Sequence, residues 1–439
     1  MNQISLDQLK QMLAAHGVVR LFFKRLSEND NSKNQVYLGP DFSSLNVLPT
    51  RNFVADARES APLKAPLEFS WLVESGALAP APNAQLILYP QYPEVRFSGF
   101  LLGCRESPGD QMRIRQAGRV LFFGISAVGR IVGFVAAHDS ALALEACRLS
   151  PERTIGIFSE ISLEAGSNDR GLLLRELSRI SKLGWIDSRR LDSLGSSLPC
   201  VSSNCGGYTL EAELGIRPNG FSEPDYLGWE VKQHAVRVLE RTASGGPITL
   251  MTPEPTGGVY GDEGVREFIR RFGYADRTIA DRRNFGGIHS AVKVCAATGL
   301  ALTLDGYDAT KRRITDISGG LTLLNANGES AATWKYTDLL SHWTRKHAKA
   351  AYVPSMMRKD PIQQYQFGHR IRLAVGTDFL LFLDAVAKGA VYYDPGIKIE
   401  NASSAKPLVK KRSQFRVKSS NIPLLYEKVE DVDLHQGWG

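Results

Sequence analysis

The amino-acid sequence predicts two domains, a small N-terminal all-β barrel with short helices and a C-terminal α/β domain. The chain has 439 residues, which is long for one ordinary domain. Its first part consists of short β-forming runs separated by Gly, Pro and Asn, whereas the later part mixes helical and strand patterns. We therefore predict domains at 1–165 and 170–439, joined at the small, polar segment Glu164–Asp169.

The elements of the first domain follow from local patterns. Apolar residues at helical spacing predict a short helix at Leu6–His16, after which the pattern becomes β-like. Strands are predicted at Val18–Lys24, Val36–Leu38, Leu86–Leu88, Val95–Leu102, Val120–Ile125 and Arg130–Ala136.

The second domain is predicted to alternate helices and strands. Helices are predicted at Asp169–Leu183, Tyr208–Leu214 and Glu263–Phe272, a hairpin at Pro224–Val231, and strands at Phe379–Leu383 and Gly389–Tyr393. The apolar run Phe379–Val386 is too short for a membrane span and is interrupted by Asp384, so we interpret it as a core strand and predict no membrane partner.

The composition limits the class of protein. With 43% hydrophobic and 23% charged residues, the chain is predicted to be globular, and disordered or fibrous proteins are excluded. The net charge of +7 favours a polyanionic partner without establishing one.

Five scattered cysteines and the absence of a signal-peptide pattern predict free thiols in a reducing, cytoplasmic compartment. Cys200 and Cys205 have no second pair with which to bind a metal.

One short segment carries the predicted chemistry. In Asp225-Tyr-Leu-Gly-Trp-Glu230-Val-Lys232, strand alternation places Glu230 and Lys232 together on an open face, and the Gly228 turn brings Asp225 to them. Two converging carboxylates suit a hard divalent cation, Mg²⁺ by preference, which can activate water for phosphodiester hydrolysis. Lys232 would orient or help deprotonate that water. The alternative is an ordinary Glu–Lys pair at a strand edge, because so short a pattern also occurs by chance.

The segments around this motif resemble one known family. They are Gly206-Gly-Tyr-Thr-Leu-Glu211, Thr249-Leu-Met-Thr-Pro-Glu-Pro255, Arg266–Tyr274, Tyr392–Lys398 and Arg412–Arg416. Together they resemble the MvaI/BcnI family of restriction endonucleases, a branch of the PD-(D/E)XK nucleases. The resemblance implies that Asp225, Glu230 and Glu211 bind metal and that Lys232 is the catalytic lysine. It also implies monomers that cut one DNA strand at a time within CC-N-GG-type sites.

The C-terminal domain also contains candidate DNA-reading residues. Between Lys398 and Ser420, seven basic residues face a single acid, and Arg412, Gln414 and Arg416 alternate as on one strand face. The resemblance adds Asp394 and Lys398, and Lys411 belongs to the same basic group. His289, in the Gly-rich loop Asn284–Ser290, is a candidate for the minor groove. The alternatives are a solvated basic tail and a structural histidine.

The N-terminal domain resembles the EcoRII-type effector domain, one of the B-three DNA-binding pseudobarrels. The resemblance rests on Phe22–Asp30 and Asn34–Leu38, and on Tyr92–Ser98 as a second arm. It implies DNA-reading roles for Lys24, Arg25, Ser27, Asn29, Asp30, Gln35, Glu94 and Arg96. The family's Asp-Thr-Gly is here Asp30-Asn31-Ser32, which puts the fine specificity of the first arm in doubt.

These features predict an all-β pseudobarrel followed by an α/β PD-(D/E)XK nuclease domain. We predict a Mg²⁺-dependent, monomeric, Type IIE-like restriction endonuclease. It would bind two copies of a CCWGG-like site in double-stranded DNA and act beside a cognate DNA methyltransferase in a bacterial or archaeal cytoplasm. The alternatives are a nicking or modification-dependent nuclease of the same superfamily, and a DNA-binding regulator whose nuclease domain is inactive.

Overall fold

The computed structural model divides the chain into two compact units. The N-terminal unit comprises Met1–Ser167 with Arg313–Asp316, and the C-terminal unit comprises Asn168–Arg312 with Ile317–Gly439. The structure describes residues 4–28, 30, 35–40, 42–50, 53, 62–89, 94–126, 128–149, 153–161, 163, 169–202, 204–217, 225–240, 246–316, 318–347 and 349–436. No helix among these residues is long and apolar enough to cross a membrane.

The segment before residue 168 consists mainly of short strands. Its elements are α1 (Leu6–Ala15), β1 (Val18–Arg25), β2 (Gln35–Tyr37), β3 (Leu63–Pro66), β4 (Phe69–Leu72), β5 (Leu78–Pro80), β6 (Gln85–Tyr89), β7 (Glu94–Ser98), α2 (Gly109–Arg113), β8 (Val120–Ser126), β9 (Ile131–Ala136), α3 (Ala141–Arg148), β10 (Arg153–Ile155) and β11 (Phe158–Ile161), with a 3₁₀ turn at Phe42–Asn46. Each of the six predicted strands overlaps one of these strands, while β3, β4, β5, β10 and β11 were missed.

Two sheets form this unit. One has the order β10-β11-β1-β8-β9-β4-β5 and the other β2-β7-β6-β3. Aromatic rings from both sheets meet in the core, where Phe69 lies 5.1 Å from Phe97 and 6.5 Å from Phe123. Gly133 permits this packing, because a Cβ there would lie 2.2 Å from the Phe69 ring. The buried rings supply the apolar area that stabilises so many short strands.

The segment from residue 168 onward alternates helices and strands. Its helices are α4 (Asp169–Lys182), α5 (Cys205–Glu213), α6 (Gly258–Asp262), α7 (Val265–Phe272), α8 (Tyr336–Lys346) and α9 (Phe379–Ala387), with a 3₁₀ turn at Ser419–Leu425. Its strands are β12 (Trp185–Asp187), β13 (Arg189–Leu191), β14 (Ser197–Pro199), β15 (Glu230–Ala235), β16 (Ile248–Met251), β17 (Tyr274–Ala275), β18 (Arg282–Gly286), β19 (Ala301–Asp305), β20 (Tyr307–Asp308), β21 (Arg313–Ile314), β22 (Gly320–Leu324), β23 (Ser330–Lys335), β24 (Lys349–Arg358), β25 (Gln364–Phe367), β26 (Arg370–Val375), β27 (Val391–Tyr393), β28 (Gly396–Glu400), β29 (Leu408–Lys410), β30 (Phe415–Val417) and β31 (Lys428–Asp433).

The ten-residue strand β24 organises the sheet that carries the candidate site. It pairs in parallel with β15 and antiparallel with β25 and β26, which are flanked by β12 and β31. Helix α4 covers one face, where Leu173, Leu177 and Ile180 pack in a common core with Val353. The smaller sheets elsewhere in the unit include β16-β30-β27, β17-β18-β28-β29 and β19-β22-β23.

The predicted strand at Phe379–Leu383 is wrong, because these residues begin helix α9. The Asp378 side chain accepts a hydrogen bond from the Leu380 backbone N–H at 2.6 Å and so caps the helix. Six of the nine helical residues are buried, including Asp384. A helix buried on most sides lacks the periodic polar face that distinguishes it from a buried strand, so the sequence pattern is ambiguous here.

The prediction of free thiols is wrong for Cys200 and Cys205, which form a disulfide. Their Cα atoms lie 5.7 Å apart, within the range that a disulfide spans. Cys205 is the first residue of α5, so the bond ties the start of this helix to the preceding loop. Cys104, Cys147 and Cys295 are free.

Candidate active site

Glu230 and Lys232 are the first and third residues of β15, so their side chains leave the same face of the strand. Trp229 and Val231 lie in the core on the other side, 4% and 6% exposed. The alternation of the sequence therefore sets the direction of both functional side chains. The sequence predicted that this face is open to solvent, whereas in the structure Glu230 is only 3% exposed.

The two side chains form an ion pair. Lys232 Nζ donates a hydrogen bond to Glu230 Oε1 at 2.7 Å. Burial lowers the pKa of Lys232, but the charge of Glu230 and this hydrogen bond more than offset the effect and hold the pKa above its ordinary value. Lys232 is therefore a protonated ammonium at neutral pH, which can donate hydrogen bonds but has no lone pair to accept a proton.

A tight turn brings Asp225 to the start of β15. Leu227 and Gly228 have positive φ values of 48° and 76°, and a backbone bridge joins Tyr226 to Trp229. Asp225 Oδ2 accepts the Val231 backbone N–H at 3.0 Å. Burial and the charge of Glu230 raise the pKa of Asp225 to about 7, with a smaller contribution from Glu211, although Lys232 opposes them.

Helix α5 supplies the third carboxylate, Glu211, whose charge acts on Asp225. This helix approaches β15 closely at Gly206. A Cβ at that position would lie 2.7 Å from Gln233 Oε1 and 3.0 Å from the Tyr365 ring, so only glycine fits without displacing them. The short helix and the close approach together hold Glu211 within electrostatic reach of the turn.

Sequence reasoning missed the buried polar residues on the neighbouring strand. In the parallel register, Lys232 lies opposite Tyr352, which is fully buried and whose hydroxyl lies 3.0 Å from that of Tyr426. Burial raises the pKa of Tyr352 to about 12, so the phenol stays neutral. On the same pair of strands, Gln233 donates to Ser355 at 2.7 Å. No local motif marks these residues, because they meet the site only through strand pairing.

The donor set suits Mg²⁺. Among the described residues no three His, Cys, Asp or Glu side chains converge into a ready-made metal site. Mg²⁺ does not require one, since it often keeps several waters and binds one or two carboxylates together with substrate phosphates. Asp225 and Glu230 offer hard oxygen donors. Burial and the negative charge of Glu230 raise the pKa of Asp225, and a divalent cation would offset both effects.

The predicted face of Arg412, Gln414 and Arg416 is not one strand face. Strand β30 begins only at Phe415, and Gln414 is 7% exposed, with its Oε1 accepting from Thr249 Oγ1 at 3.4 Å. The alternation fails because Ser413, Gln414 and Phe415 are buried in succession. Arg416 pairs with Asp394 at 2.7 Å, which brings together two of the predicted DNA-reading residues.

The remaining basic candidates lie on or beside β28 and β29. Lys398 and Lys410 both pair with Glu400, at 2.9 and 3.1 Å. Lys411 and Arg412 are exposed, and Lys411 Nζ lies 5.7 Å from the centre of the Tyr260 ring. The basic surface is thus partly neutralised by Glu400.

His289 is completely buried, so its predicted contact with DNA is wrong. Its Nε2 lies 2.8 Å from Thr298 Oγ1, and its ring stacks on Phe285 with a centroid distance of 5.1 Å. Its backbone pairs with that of Tyr393. His289 is therefore a core residue of its loop.

Lys24 and Asp30 are buried, 6% and 5% exposed, which favours a structural role for this pair, and their contact with DNA stays a prediction. They form an ion pair, and Asp30 accepts the backbone N–H groups of Ser27 at 2.9 Å and Tyr37 at 3.2 Å. The sequence alone could not decide whether Lys24 and Asp30 contact DNA or each other, because a lysine and an aspartate in this segment are compatible with both roles. The two residues hold the arm's backbone together.

Other predicted residues of the N-terminal unit remain accessible. Arg25 is exposed and donates to the Cys147 carbonyl at 2.7 Å, and Ser27 is exposed. On the second sheet, Arg96 donates to Glu94 at 2.9 Å and to Gln35 at 3.1 Å, so these three candidates form one cluster. Asn29 lies outside the described residues.

A model of the MvaI/BcnI restriction endonuclease family matches residues 174–426. One similar solved structure, a complex of restriction endonuclease MvaI with cognate DNA, has 15% identity and a TM-score of 0.46, covering 61% of this chain and 99% of that chain. MvaI without DNA has 14% identity and a TM-score of 0.34, with the same 61% and 99% coverage. No curated protein matches the chain. Both structural similarities are weak, so the assignment of the chain to a family rests on the match to the family model alone.

Proposed function

The chain belongs to the MvaI/BcnI restriction endonuclease family, and from this premise we propose that it is a Type IIE-like enzyme that hydrolyses DNA with Mg²⁺ at a short CCWGG-like site. Family membership makes it a site-specific endonuclease. In this proposal the C-terminal unit cuts one copy of the site and the N-terminal unit binds a second. The enzyme would act as a monomer, beside a cognate methyltransferase that protects the host's own sites.

The observation that carries the proposal is the grouping of Asp225, Glu230 and Lys232 on one turn and strand. The Val231 N–H orients Asp225 at 3.0 Å, and Lys232 holds Glu230 at 2.7 Å. Asp225 and Glu230 would bind the Mg²⁺ ion, with Glu211 as a further acid. When bound, the ion supplies Lewis-acid stabilisation of a phosphodiester oxygen and a more acidic water.

Lys232 contributes a fixed positive charge. Because its Nζ keeps its proton, it can donate a hydrogen bond to the scissile phosphate as negative charge builds up there. Its neighbour Tyr352 is neutral and buried, so it adds no competing charge on that side. The three carboxylates would repel a polyanion in the absence of metal, which supports a reaction that depends on a divalent cation.

DNA would be held by cations at the surface, of which Lys398 is half-buried, and read by polar side chains. Lys398, Lys411 and Arg412 are suited to phosphates, since each lysine presents a compact charge and arginine a planar fork. The Arg416–Asp394 pair is suited to base edges, because the carboxylate fixes the direction in which the guanidinium donates. In the N-terminal unit, the Arg96–Glu94–Gln35 cluster offers the same combination of donors and acceptors.

Run-off sequencing of DNA cut by the pure protein in Mg²⁺ tests the proposed reaction. We expect defined 5′ and 3′ ends within one short CCWGG-like sequence, and no cutting in EDTA. Matched methylated and unmethylated templates separate restriction activity from a modification-dependent nuclease. Random ends, or no cutting in Mg²⁺, would contradict the proposal.

Comparing the cleavage rates of plasmids with one and with two recognition sites tests the proposed role of the N-terminal unit. We expect a plasmid with two sites to be cut at least about tenfold faster than one with a single site, because binding at one site raises the effective concentration of the other. The control plasmid has the same length, with one site removed by a single base-pair change. Equal rates would rule out the second-site role while leaving the nuclease proposal standing.

A further inference from the structure

Two buried tyrosine hydroxyls lie beside the candidate active site and contact each other. The hydroxyl oxygens of Tyr352 and Tyr426 are 3.0 Å apart, and their rings meet edge to face with centroids 6.3 Å apart. Tyr352 is 0% exposed and Tyr426 is 4% exposed. Burying a hydroxyl costs free energy unless it is hydrogen-bonded, and two phenylalanines would fill the same space without that cost. The hydroxyl pair is therefore a candidate for a role beyond packing.

The backbone holds both members of the pair in place. Next to Tyr426, the Thr377 hydroxyl donates to the preceding carbonyl at 2.6 Å, and the Gly376 carbonyl accepts the following N–H at 2.7 Å. Tyr352 lies within β24 and is paired with a strand on each side. Two hydroxyls on a rigid backbone can hold a third group in one orientation at little cost in entropy.

Tyr352 lies between two cationic side chains in the strand register. It is opposite Lys232 of β15 on one side and opposite Arg372 of β26 on the other. The Arg372 guanidinium is held by Asp431, to which it donates two hydrogen bonds of 2.7 and 2.9 Å. Among the described residues, Lys232 donates only to Glu230, although an ammonium has three N–H groups. Lys232 is therefore the cation that can still donate to Tyr352.

Strand pairing brings the Lys232 ammonium and the Tyr352 hydroxyl towards each other. Directly opposed residues of neighbouring strands point to the same face and start about 5 Å apart. Burial raises the pKa of Tyr352, and its hydrogen bond with Tyr426 and the positive charge of Lys232 oppose this rise, so the Lys232 charge acts on the phenol. A hydroxyl oxygen has two acceptor sites, so Tyr352 can accept from Lys232 whichever tyrosine of the pair donates.

We propose that the Tyr352–Tyr426 hydroxyl pair positions the Lys232 ammonium, with Tyr352 accepting one N–H while another N–H is directed at the scissile phosphate. Glu230 holds the ammonium less firmly once it shares its oxygens with a metal ion, whereas a neutral hydroxyl keeps its acceptor sites. Such hydrogen bonds often tighten only when substrate is bound. The inference rests on the proposed function, and it makes Tyr352 a positioning residue that acts through Lys232.

Tyr352→Phe tests the proposal, because it removes the hydroxyl and keeps the ring. We expect the single-turnover rate of DNA cleavage at saturating Mg²⁺ to fall about 10- to 100-fold, the equivalent of one hydrogen bond to a charged group. The dissociation constant for the same duplex, measured with Ca²⁺ in place of Mg²⁺, should stay unchanged, because Tyr352 is buried. In a Lys232→Met background, the substitution should cause no further loss of rate.

Nitrogen-15 spectra of lysine-labelled protein provide a measurement that does not depend on cleavage. The signal of Lys232 Nζ is assigned by its loss in Lys232→Met. In the complex with DNA and Ca²⁺, we expect this signal to be sharp for the wild-type protein, because a hydrogen-bonded ammonium exchanges its protons slowly with water. In Tyr352→Phe it should broaden, while the signals of the other lysines stay as they are.

The matched control is Tyr336→Phe. Tyr336 is also completely buried in the C-terminal unit, at the start of α8, where its ring lies 6.2 Å from that of Phe379. We expect the two variants to unfold at similar temperatures and the control to cut at the wild-type rate.

Three results would overturn the proposal: wild-type cleavage by Tyr352→Phe, the same loss of rate with and without Lys232, or an unchanged Lys232 signal. A loss of rate in Tyr336→Phe as large as in Tyr352→Phe would also do so, because it would show a general effect of removing a buried hydroxyl. A wild-type protein that cuts no DNA in Mg²⁺ would instead contradict the proposed function.

Discussion

Replacing Asp225 with asparagine is expected to reduce Mg²⁺-dependent DNA cleavage by at least about 10³-fold. A metal ion in such a site contributes several kcal/mol of transition-state stabilisation, and each 1.36 kcal/mol corresponds to tenfold in rate. Asparagine keeps an oxygen that can accept the Val231 N–H, so the turn is preserved while the negative charge is lost. Single-turnover cleavage with saturating enzyme measures the change.

The same substitution is expected to stabilise the metal-free protein. The pKa of Asp225 is raised from 3.8 to about 7 in the folded state, so its contribution to stability is present below about pH 4 and is lost as the pH rises to about 7. Above pH 7 the gain from Asp225→Asn should be on the order of 2–4 kcal/mol, since each pKa unit corresponds to about 1.4 kcal/mol. Urea unfolding in EDTA, at pH 5 and pH 8, measures the difference.

Asp262→Asn provides the control, because it removes an exposed carboxylate of the same unit. It should alter neither cleavage nor the pH dependence of stability. Two results would contradict the mechanism: an Asp225→Asn enzyme that still cuts in Mg²⁺, or one whose stability gain is the same at pH 5 and pH 8. Loss of activity with loss of stability would indicate that Asp225 is merely structural.

Replacing Asp30 with alanine is expected to destabilise the N-terminal unit by about 3–5 kcal/mol, the usual cost of breaking a buried ion pair. Asp30 is the carboxylate that pairs with buried Lys24 and whose charge also acts on Arg119. Arg119 is completely buried, and its guanidinium donates to four backbone carbonyls, including that of Ser27 at 3.3 Å. Without Asp30, two buried cations would lose their compensating charge.

Hydrogen–deuterium exchange of β1 and β8 measures this effect within the full chain. Faster exchange should be confined to the N-terminal unit. The control is Asp139→Ala, because the side chain of Asp139 is 77% exposed in the same unit and its replacement should change exchange little. Unchanged protection in Asp30→Ala would show that the Lys24–Asp30 pair does not hold the arm.

The sequence predicted the backbone arrangement of the candidate catalytic segment because this arrangement is local. Asp225, Glu230 and Lys232 lie within eight residues, and alternation along one strand is enough to orient two of them. Reasoning from strand alternation could not predict which side chains are buried by residues that are distant in the sequence. It could not show that Tyr352 lies opposite Lys232, or that Thr298 and Phe285 enclose His289.

Sequence patterns also could not separate two roles of the same charged residue. Lys24 and Asp30 were predicted to read DNA, and in the structure they form an ion pair, with Asp30 also accepting a backbone N–H. Arg25, one residue further along β1, is exposed and remains a candidate. The difference between Lys24 and Arg25 arises from the direction of adjacent side chains on a strand, which motif matching alone does not resolve.

The parallel pairing of β15 with β24 affects the order in which the enzyme becomes active during synthesis. Lys232 pairs with Tyr352, so the strand that carries the candidate catalytic residues gains its strand partner, among the described residues, only after the chain has grown well beyond the motif. Contacts between residues so far apart in sequence form late in folding, after local turns and helices. A nascent or truncated chain that ends before β24 thus carries the whole candidate motif without the sheet that orders it. Incomplete copies are therefore expected to spare the genome of the cell that makes them.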